Sequence, residues 1–161
     1  MHIELRRLKV FEEMSRETTA FTAELWVDGT KLGRAMNDGG GGATRCEVRD
    51  RKRLDAVETF AAALPRAKSK DFADGLPMDL DFYLALLVDR HLEEKQERAL
   101  CRKHIVLQLK NSPPGHYACY QAAYSPQTVE ALRKRHGANL LCVVNERYLP
   151  GAAARPLYES I

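Results

Sequence analysis

Residues 36–45 read MNDGGGGATR, and they are the part of this chain whose residue types most readily suggest binding chemistry. Four consecutive glycines, Gly39 to Gly42, stand in a chain that contains ten glycines. Such a run lets several backbone N–H groups point at one anion, because no side chain blocks the approach and positive φ is permitted. Thr44 and Arg45 follow directly, so we expect this loop to hold a phosphate, a carboxylate or a partner molecule.

The glycine run matches neither of the two common phosphate-binding patterns. The GxxxxGK[ST] pattern fails because Gly42 is followed by Ala43 and Thr44, and there is no GxGxxG that opens a helix after a strand. The alternative is a flexible exit from a strand, or a loop that becomes ordered only on a partner.

Trp26 is a second candidate contact residue. In the strand around it Leu25 and Val27 share one face, so Trp26 lies on the opposite face, beside Lys31 across a predicted hairpin. Either a second core covers that face, or Trp26 is an exposed contact residue of the kind that interfaces favour. The candidate residues for ligand or partner binding are therefore Trp26, Asn37, Asp38, Gly39, Gly40, Gly41, Gly42, Thr44 and Arg45.

A metal site is not expected, although Cys101-x-x-His104 and His116-x-x-Cys119 have spacings that zinc sites use. A hairpin with its turn at 111–115 would pair Lys110 with His116, which puts the two histidines roughly 20 Å apart. Zinc ligands must all lie within about 2.3 Å of one ion. We therefore predict no metal ion and no cofactor.

Nucleophilic catalysis is not expected either. Cys46 follows Arg45, and a cation could lower the pKa of its thiol. No histidine is close in sequence, so a structural thiol is the favoured interpretation. The sequence supplies no catalytic residue, and we do not expect an enzyme.

The C-terminal part of the chain has the charge that nucleic acid would need. Residues 101–161 carry eight basic and three acidic side chains, a net charge of +5, whereas the whole chain has +3. Arg133, Lys134 and Arg135 end a predicted helix, where they either complement the helix dipole or contact phosphate.

The elements that position these residues follow from hydrophobic periodicity and turn signals. Strands come in runs, in the order βββ-α-α-ββ-α-β, which predicts an α+β fold with a mainly antiparallel sheet and three helices. Asp28-Gly29 predicts a two-residue turn that places Leu25 opposite Leu32 and ends the next strand at Asn37.

Three further elements carry specific expectations. The helix over about 79–102 should be solvated all round in its second half, at EEKQER. Ser125 and Gly137 should begin and end the last helix. The apolar run NLLCVVN should form a central strand.

Composition predicts one soluble domain. The chain of 161 residues is 45% hydrophobic and 29% charged, with no apolar run long enough for a membrane span. The charged N-terminus does not resemble a secretory signal, so we expect a cytoplasmic protein. We assign residues 1–150 to a single α+β domain and residues 151–161 to a C-terminal tail.

The chain resembles small uncharacterised phage and prophage proteins in a combination of three features. These are the segment ETTAFTAELWVDGTKLG, the run NDGGGG, and a long leucine-rich helix that ends in a basic, Lys-Lys-His-like segment before a strand. In those proteins a histidine often stands where this chain has Gly40, so the resemblance implies no histidine chemistry here. It supplies no catalytic residues and implies a mobile-element protein, in the host cytoplasm if phage-encoded.

The leading hypothesis is a non-enzymatic module that contacts a host or viral macromolecule through the glycine loop and the Trp26 hairpin. The first alternative is a binder of a nucleotide-like or other anion at Gly39–Gly42, and an enzyme acting on such a ligand is a less favoured class. The last alternative is nucleic-acid binding through Arg133, Lys134 and Arg135.

Overall fold

The computed structural model describes residues 1–68, 72, 74–113 and 115–150. Its fold is α+β, as predicted, with three helices and two antiparallel sheets. The chain divides into two compact units, one over Met1–Arg90 and one that begins at His91. The sequence had assigned residues 1–150 to one domain. The proposed tail over 151–161 lies outside the described residues.

Four strands form the sheet of the first unit, in the order β1-β2-β3-β4. The predicted order placed three strands before the first helix. The structure has a fourth strand there, formed by the extended residues after the glycine run. The strands are β1 (Ile3–Val10), β2 (Phe21–Val27), β3 (Thr30–Asn37) and β4 (Arg45–Val48).

The hairpin of β2 and β3 turns at Asp28-Gly29 and pairs Val27 with Thr30, as predicted. The predicted register beyond the turn is wrong by one residue, because a bulge leaves Leu32 unpaired and Leu25 lies opposite Gly33. A side chain at Gly33 would collide with the backbone carbonyl of Glu47 on β4. The glycine therefore permits the close approach of the neighbouring strand.

A second bulge interrupts β1, at the position where the apolar phase of the sequence shifts. Arg6 pairs with Glu24 and Lys9 pairs with Thr22, so two residues of β1 face one residue of β2. Arg7 takes a positive φ of 52° there.

Helix α1 (Arg51–Ala62) follows β4. The side chain of Asp50 accepts a hydrogen bond from the backbone N–H of Arg53, which caps the first turn. Leu54, Val57 and Ala61 are buried and form the inward stripe of this helix.

Helix α2 (Leu80–Cys101) is buried at Leu84 and Val88 in its first half. The prediction that its second half is solvated all round is wrong, because Glu97 is only 1% exposed. The boundary between the two units falls within this helix, after Arg90.

The second unit has a three-stranded sheet in the order β6-β5-β7. Its strands are β5 (Ile105–Leu109), β6 (Ala118–Tyr120) and β7 (Leu140–Val143). The prediction that the LLCVV segment is central is wrong: β5 is central and fully buried at Ile105 and Leu107, whereas Leu141 on β7 is 54% exposed. The run is apolar but short, and a 3-10 helix begins at Val144.

The β5–β6 hairpin pairs Val106 with Cys119, one residue away from the predicted register. Helix α3 (Pro126–His136) matches its prediction. The Ser125 side chain accepts from the Thr128 N–H, Val129 and Leu132 are buried, and Gly137 follows the last turn with φ 49°.

Candidate functional site

The glycine run forms a loop that is held in place by hydrogen bonds to neighbouring side chains. Asn37 accepts from the Gly39 N–H at 2.8 Å and donates to the Gly42 carbonyl at 2.9 Å, so one side chain spans the run. The Thr18 hydroxyl donates to Asn37 at 2.9 Å and accepts from the Gly41 N–H at 3.3 Å. These hydrogen bonds therefore give the loop a defined shape.

Gly39 anchors this loop to the segment that precedes β2. Its carbonyl accepts hydrogen bonds from the backbone N–H groups of Arg16, Glu17 and Thr18, at 3.0, 3.0 and 3.3 Å. Gly39 is buried and has φ +83°, and a Cβ here would collide with the Met14 carbonyl. The nest of consecutive N–H groups thus lies at residues 16–18, and the protein's own carbonyl fills it.

The second half of the glycine run is exposed and leaves a bare strip on the surface. Gly40, Gly42 and Ala43 are exposed, and a Cβ at Gly42 would meet no atom within 4 Å. Gly42 also lacks the positive φ of Gly39 and Gly41. Since neither sterics nor conformation requires glycine at 42, the missing side chain leaves room for an approaching molecule.

An apolar groove lies on one side of the strip, with a volume of about 540 Å³. Phe11 and Met14 line it together with Phe21 and Met36, and Arg45 contributes the basic side chain. Phe11 is 39% exposed and Met14 is 53% exposed. We call this feature, lined by Phe11, Met14, Phe21 and Met36, the Met14 groove.

An acidic cavity of about 580 Å³ lies on the other side and shares Gly42 and Ala43 with the groove. Its charged lining residues are Arg16, Glu17, Asp79, Asp81 and Asp89. One of the carboxylates, Asp81, accepts the Thr44 N–H at 2.7 Å.

These contacts do not favour an anion at the glycine loop. The N–H groups of Gly39, Gly40 and Gly41 donate to Asn37, Asp38 and Thr18, and Thr44 donates to Asp81. A phosphate would have to displace these partners and would face the carboxylates of the acidic cavity, which repel it.

Trp26 and the glycine loop lie at opposite ends of the same hairpin. Phe21 pairs with Asn37 beside the loop, and Trp26 is five residues further along β2, roughly 17 Å away at the rise of a strand. The Arg6 guanidinium lies 4.0 Å from the centre of the Trp26 ring, and the indole donates to Glu24 at 3.1 Å. Trp26 is therefore half-buried beneath a cation.

Cys46 does not have the electrostatic environment that a nucleophile needs. Burial, followed by the charges of Glu58 and Asp81, raises the pKa of its thiol to about 11. The expectation that Arg45 could lower this pKa is wrong, since Arg45 is exposed and the nearby carboxylates oppose the thiolate.

The basic residues of α3 are engaged with neighbouring side chains. Arg133 bonds Glu146 at 2.6 Å and Lys134 bonds Glu130 at 2.9 Å. Arg135 lies 5.8 Å from the centre of the Tyr120 ring. The three side chains thus make intramolecular contacts at the end of their helix.

Two features of the structure, one in each unit, were not predicted from the sequence. Phe11 precedes the 3-10 turn Glu12–Met14 and Met14 ends it, and the segment FEEM gives no strand or helix periodicity. The signal that could have revealed them is a pair of large apolar residues three apart in a segment with no core phase.

Glu97 is the second feature that the sequence did not reveal. Its carboxylate accepts from Arg147 at 2.7 Å, from Tyr117 at 2.7 Å and from Tyr148 at 2.5 Å. Burial alone would raise its pKa, but these hydrogen bonds outweigh burial and lower it. The burial of one residue in a charged run such as EEKQER cannot be predicted from the run itself, because the partners of Glu97 come from distant positions in the sequence.

The described residues contain no group of three histidine, cysteine, aspartate or glutamate side chains that could hold a metal ion. None of the helices in the described part of the chain combines the length and apolar character that crossing a bilayer requires. No protein-family model, curated protein or solved structure matches this chain.

Proposed function

We propose that this protein is a non-enzymatic binding module whose first unit holds an extended segment of a partner protein. The segment lies across Gly40–Ala43, places an apolar side chain in the Met14 groove and directs a basic side chain to the acidic cavity. The observation that carries this proposal is the bare strip at Gly42, which lies between an apolar groove and a cluster of carboxylates.

The Met14 groove has the size and chemistry of a peptide side-chain pocket. Its volume of about 540 Å³ lies within the range of ~300–1,000 Å³ that ligand pockets occupy. Methionine adapts its shape to a bound group, and Met14 projects half of its surface to solvent. Burying an apolar side chain against Phe11 and Met14 would remove this apolar surface from water.

Charge supports the choice of a basic segment. Four carboxylates and one guanidinium line the acidic cavity, so its lining carries a formal charge of −3. A lysine or arginine of the partner would be attracted to that cavity, whereas an acidic segment would be repelled.

The resemblance to small phage and prophage proteins supports a host or viral macromolecule as the partner, acting in the host cytoplasm. This part of the proposal depends on the sequence resemblance. An anion binder at the glycine loop receives less support, because the N–H groups of Gly39, Gly40 and Gly41 already have partners.

A selection from a random peptide library on the immobilised full chain tests the proposal. We expect the recovered peptides to combine an aromatic or aliphatic residue with a lysine or arginine a few positions away. The Met14→Lys variant should weaken binding of these peptides about tenfold or more, because it places a charge in the apolar groove.

Leu141→Lys is the matched control, since Leu141 is 54% exposed and Met14 is 53% exposed. The control should leave peptide affinity within about twofold of wild type. Recovery of peptides whose affinity is the same for wild type and Met14→Lys would contradict the proposal, as would recovery of acidic peptides.

A further inference from the structure

The second unit has a cleft whose chemistry differs from that of the first unit. Its volume is about 320 Å³, and it lies among the end of α2, the residue before the Ser125 cap and the 3-10 segment that follows β7. We call it the Arg98 cleft. Its lining residues are Arg98, Cys101, Arg102, Tyr124, Asn145, Tyr148 and Leu149.

The floor of the Arg98 cleft is fixed by buried polar contacts. The hydroxyl of Tyr148 donates to the buried Glu97 at 2.5 Å, which sets the orientation of the Tyr148 ring. Asn145 is 6% exposed and donates to the carbonyls of Cys101 and His104, at 3.3 and 2.9 Å. Its side-chain oxygen accepts the Val106 N–H at 2.8 Å, so this residue is held on three sides.

The charged side chains that line the cleft, Arg98 and Arg102, are both positive. Arg98 and Arg102 are exposed, and neither has an ion-pair partner within the described part of the chain. No carboxylate is among the lining residues that the structure describes. The nearby Glu146 is bonded to Arg133 at 2.6 Å and also bonds the hydroxyl of Tyr124, where burial and then the charge of Glu146 raise the pKa of the tyrosine.

Aromatic rings accompany the two guanidinium groups. The guanidinium of Arg98 lies 4.4 Å from the centre of the Tyr148 ring, so the ring holds this cation at the cleft. Tyr124 is half-buried and contributes a second ring to the lining. Guanidinium groups suit phosphate oxygens through paired N–H donors, and tyrosine rings stack on nucleobases.

We propose that the Arg98 cleft binds one nucleotide unit, with its phosphate between Arg98 and Arg102 and its base against Tyr124. A volume of about 320 Å³ is at the lower end of ligand pockets, which suits a single unit. The unit belongs either to a free mononucleotide or to single-stranded nucleic acid, because both present the same phosphate and base. This site is separate from the peptide site proposed for the first unit.

Titration calorimetry on the full chain tests this proposal with three probes: adenosine monophosphate, inorganic phosphate and a short oligothymidylate. We expect saturable binding of at least one nucleotide probe, tighter than that of inorganic phosphate. Binding of the mononucleotide identifies a free nucleotide as the ligand. Binding of the oligothymidylate alone, with affinity that falls steeply as salt rises, identifies single-stranded nucleic acid.

The double variant Arg98→Ala, Arg102→Ala should lower nucleotide affinity about tenfold or more, because both phosphate donors are lost. The matched control is Lys95→Ala, Lys103→Ala, which removes the same charge from exposed positions in the same segment. The control should change affinity less than about threefold. The variant Arg98→Lys, which keeps the charge but loses the paired donors, should fall between them.

Three results would overturn the proposal. Equal losses in the two double variants would mean that only general charge attracts the probe. Inorganic phosphate that binds as tightly as both nucleotide probes would remove the role of the base. The absence of saturable binding for both nucleotide probes would remove the site.

Discussion

At the scale of single residues, the four glycines have different roles. Gly39 must be glycine because its φ is positive and its surroundings leave no room for a Cβ. Gly41 has φ +86° and a Cβ there would collide with the Glu17 carboxylate. Gly42 meets neither restriction, since its φ is not positive and a Cβ there would meet no atom within 4 Å.

The stability of the first unit should respond to Gly39→Ala and not to Gly42→Ala. Gly39→Ala should lower the free energy of unfolding by about 1–3 kcal/mol, because it adds both strain and a collision. Gly42→Ala should stay within about 0.5 kcal/mol of wild type. Urea denaturation followed by fluorescence of Trp26, the one tryptophan of the chain, measures both. Equal losses would show that the loop is not ordered in this way.

Glu97 makes the stability of the second unit depend on pH. Its hydrogen bonds lower the pKa in the folded chain below the ordinary value of 4.5. A lowered carboxyl pKa stabilises the folded state fully above the unfolded value, and this contribution is lost as the pH falls through the folded value.

Acidification below pH 4.5 should therefore destabilise the wild type more steeply than Glu97→Gln, which cannot titrate. Hydrogen exchange at the Val106 amide, whose N–H bonds Asn145, reports the stability of this unit. The same slope with pH in both proteins would exclude Glu97 as the titrating group.

Residue types in the sequence located the loop but not its contacts. The run MNDGGGG predicted a loop, and Asn37 and Asp38 were named as members of it. The partners Thr18, Phe11 and Met14 could not be predicted, since they come from a segment with no periodic pattern. Glu97 was missed for a different reason, because burial of one charge in a charged run depends on distant tyrosine and arginine side chains.

At the scale of elements, local signals fixed the helix ends well. Asp50 and Ser125 cap α1 and α3 as their residue types predict. The registers of both hairpins were each wrong by one residue, since a bulge or a longer turn changes pairing without changing hydrophobic alternation. The central position of β5 could not be predicted from its apolar run, because β7 is also an apolar run and lies at an edge.

Helix α3 offers a prediction at this scale. Ser125→Ala removes the acceptor for the Thr128 N–H, which lies 3.2 Å away, and should cost about 1 kcal/mol in stability of the second unit. Ser125→Asp keeps an acceptor and should retain most of the stability. Amide exchange in α3 measures both, and equal behaviour of the two variants would contradict a capping role.

At the scale of the whole molecule, the chain has two compact units, each with its own antiparallel sheet. The length of the chain predicted one domain, since 161 residues fall within the ordinary range for one domain. The division into two units depends on which strands pair with each other over long distances in the sequence. Local sequence patterns do not contain this information.

The two units should respond separately to variants. Gly39→Ala should increase amide exchange in β2 and β3, and Ser125→Ala should increase it in α3 and β5. Each variant should leave the other unit within about 0.5 kcal/mol of wild type. Equal increases in both units would mean that the chain unfolds as one cooperative body.

The proposed function requires that a partner segment binds the ordered strip at Gly40–Ala43, between the Met14 groove and the acidic cavity. This binding can be measured directly. The measurement is a titration of isotopically labelled full chain with a selected peptide, followed by amide chemical shifts in wild type and in Gly42→Phe. We predict shifts at Met14, Gly40, Gly42 and Ala43 in the wild type, and their loss in a folded Gly42→Phe variant, with an Ala56→Phe variant on the exposed face of α1 unaffected. Shifts confined to other surfaces, or full binding by Gly42→Phe, would contradict this mode of binding.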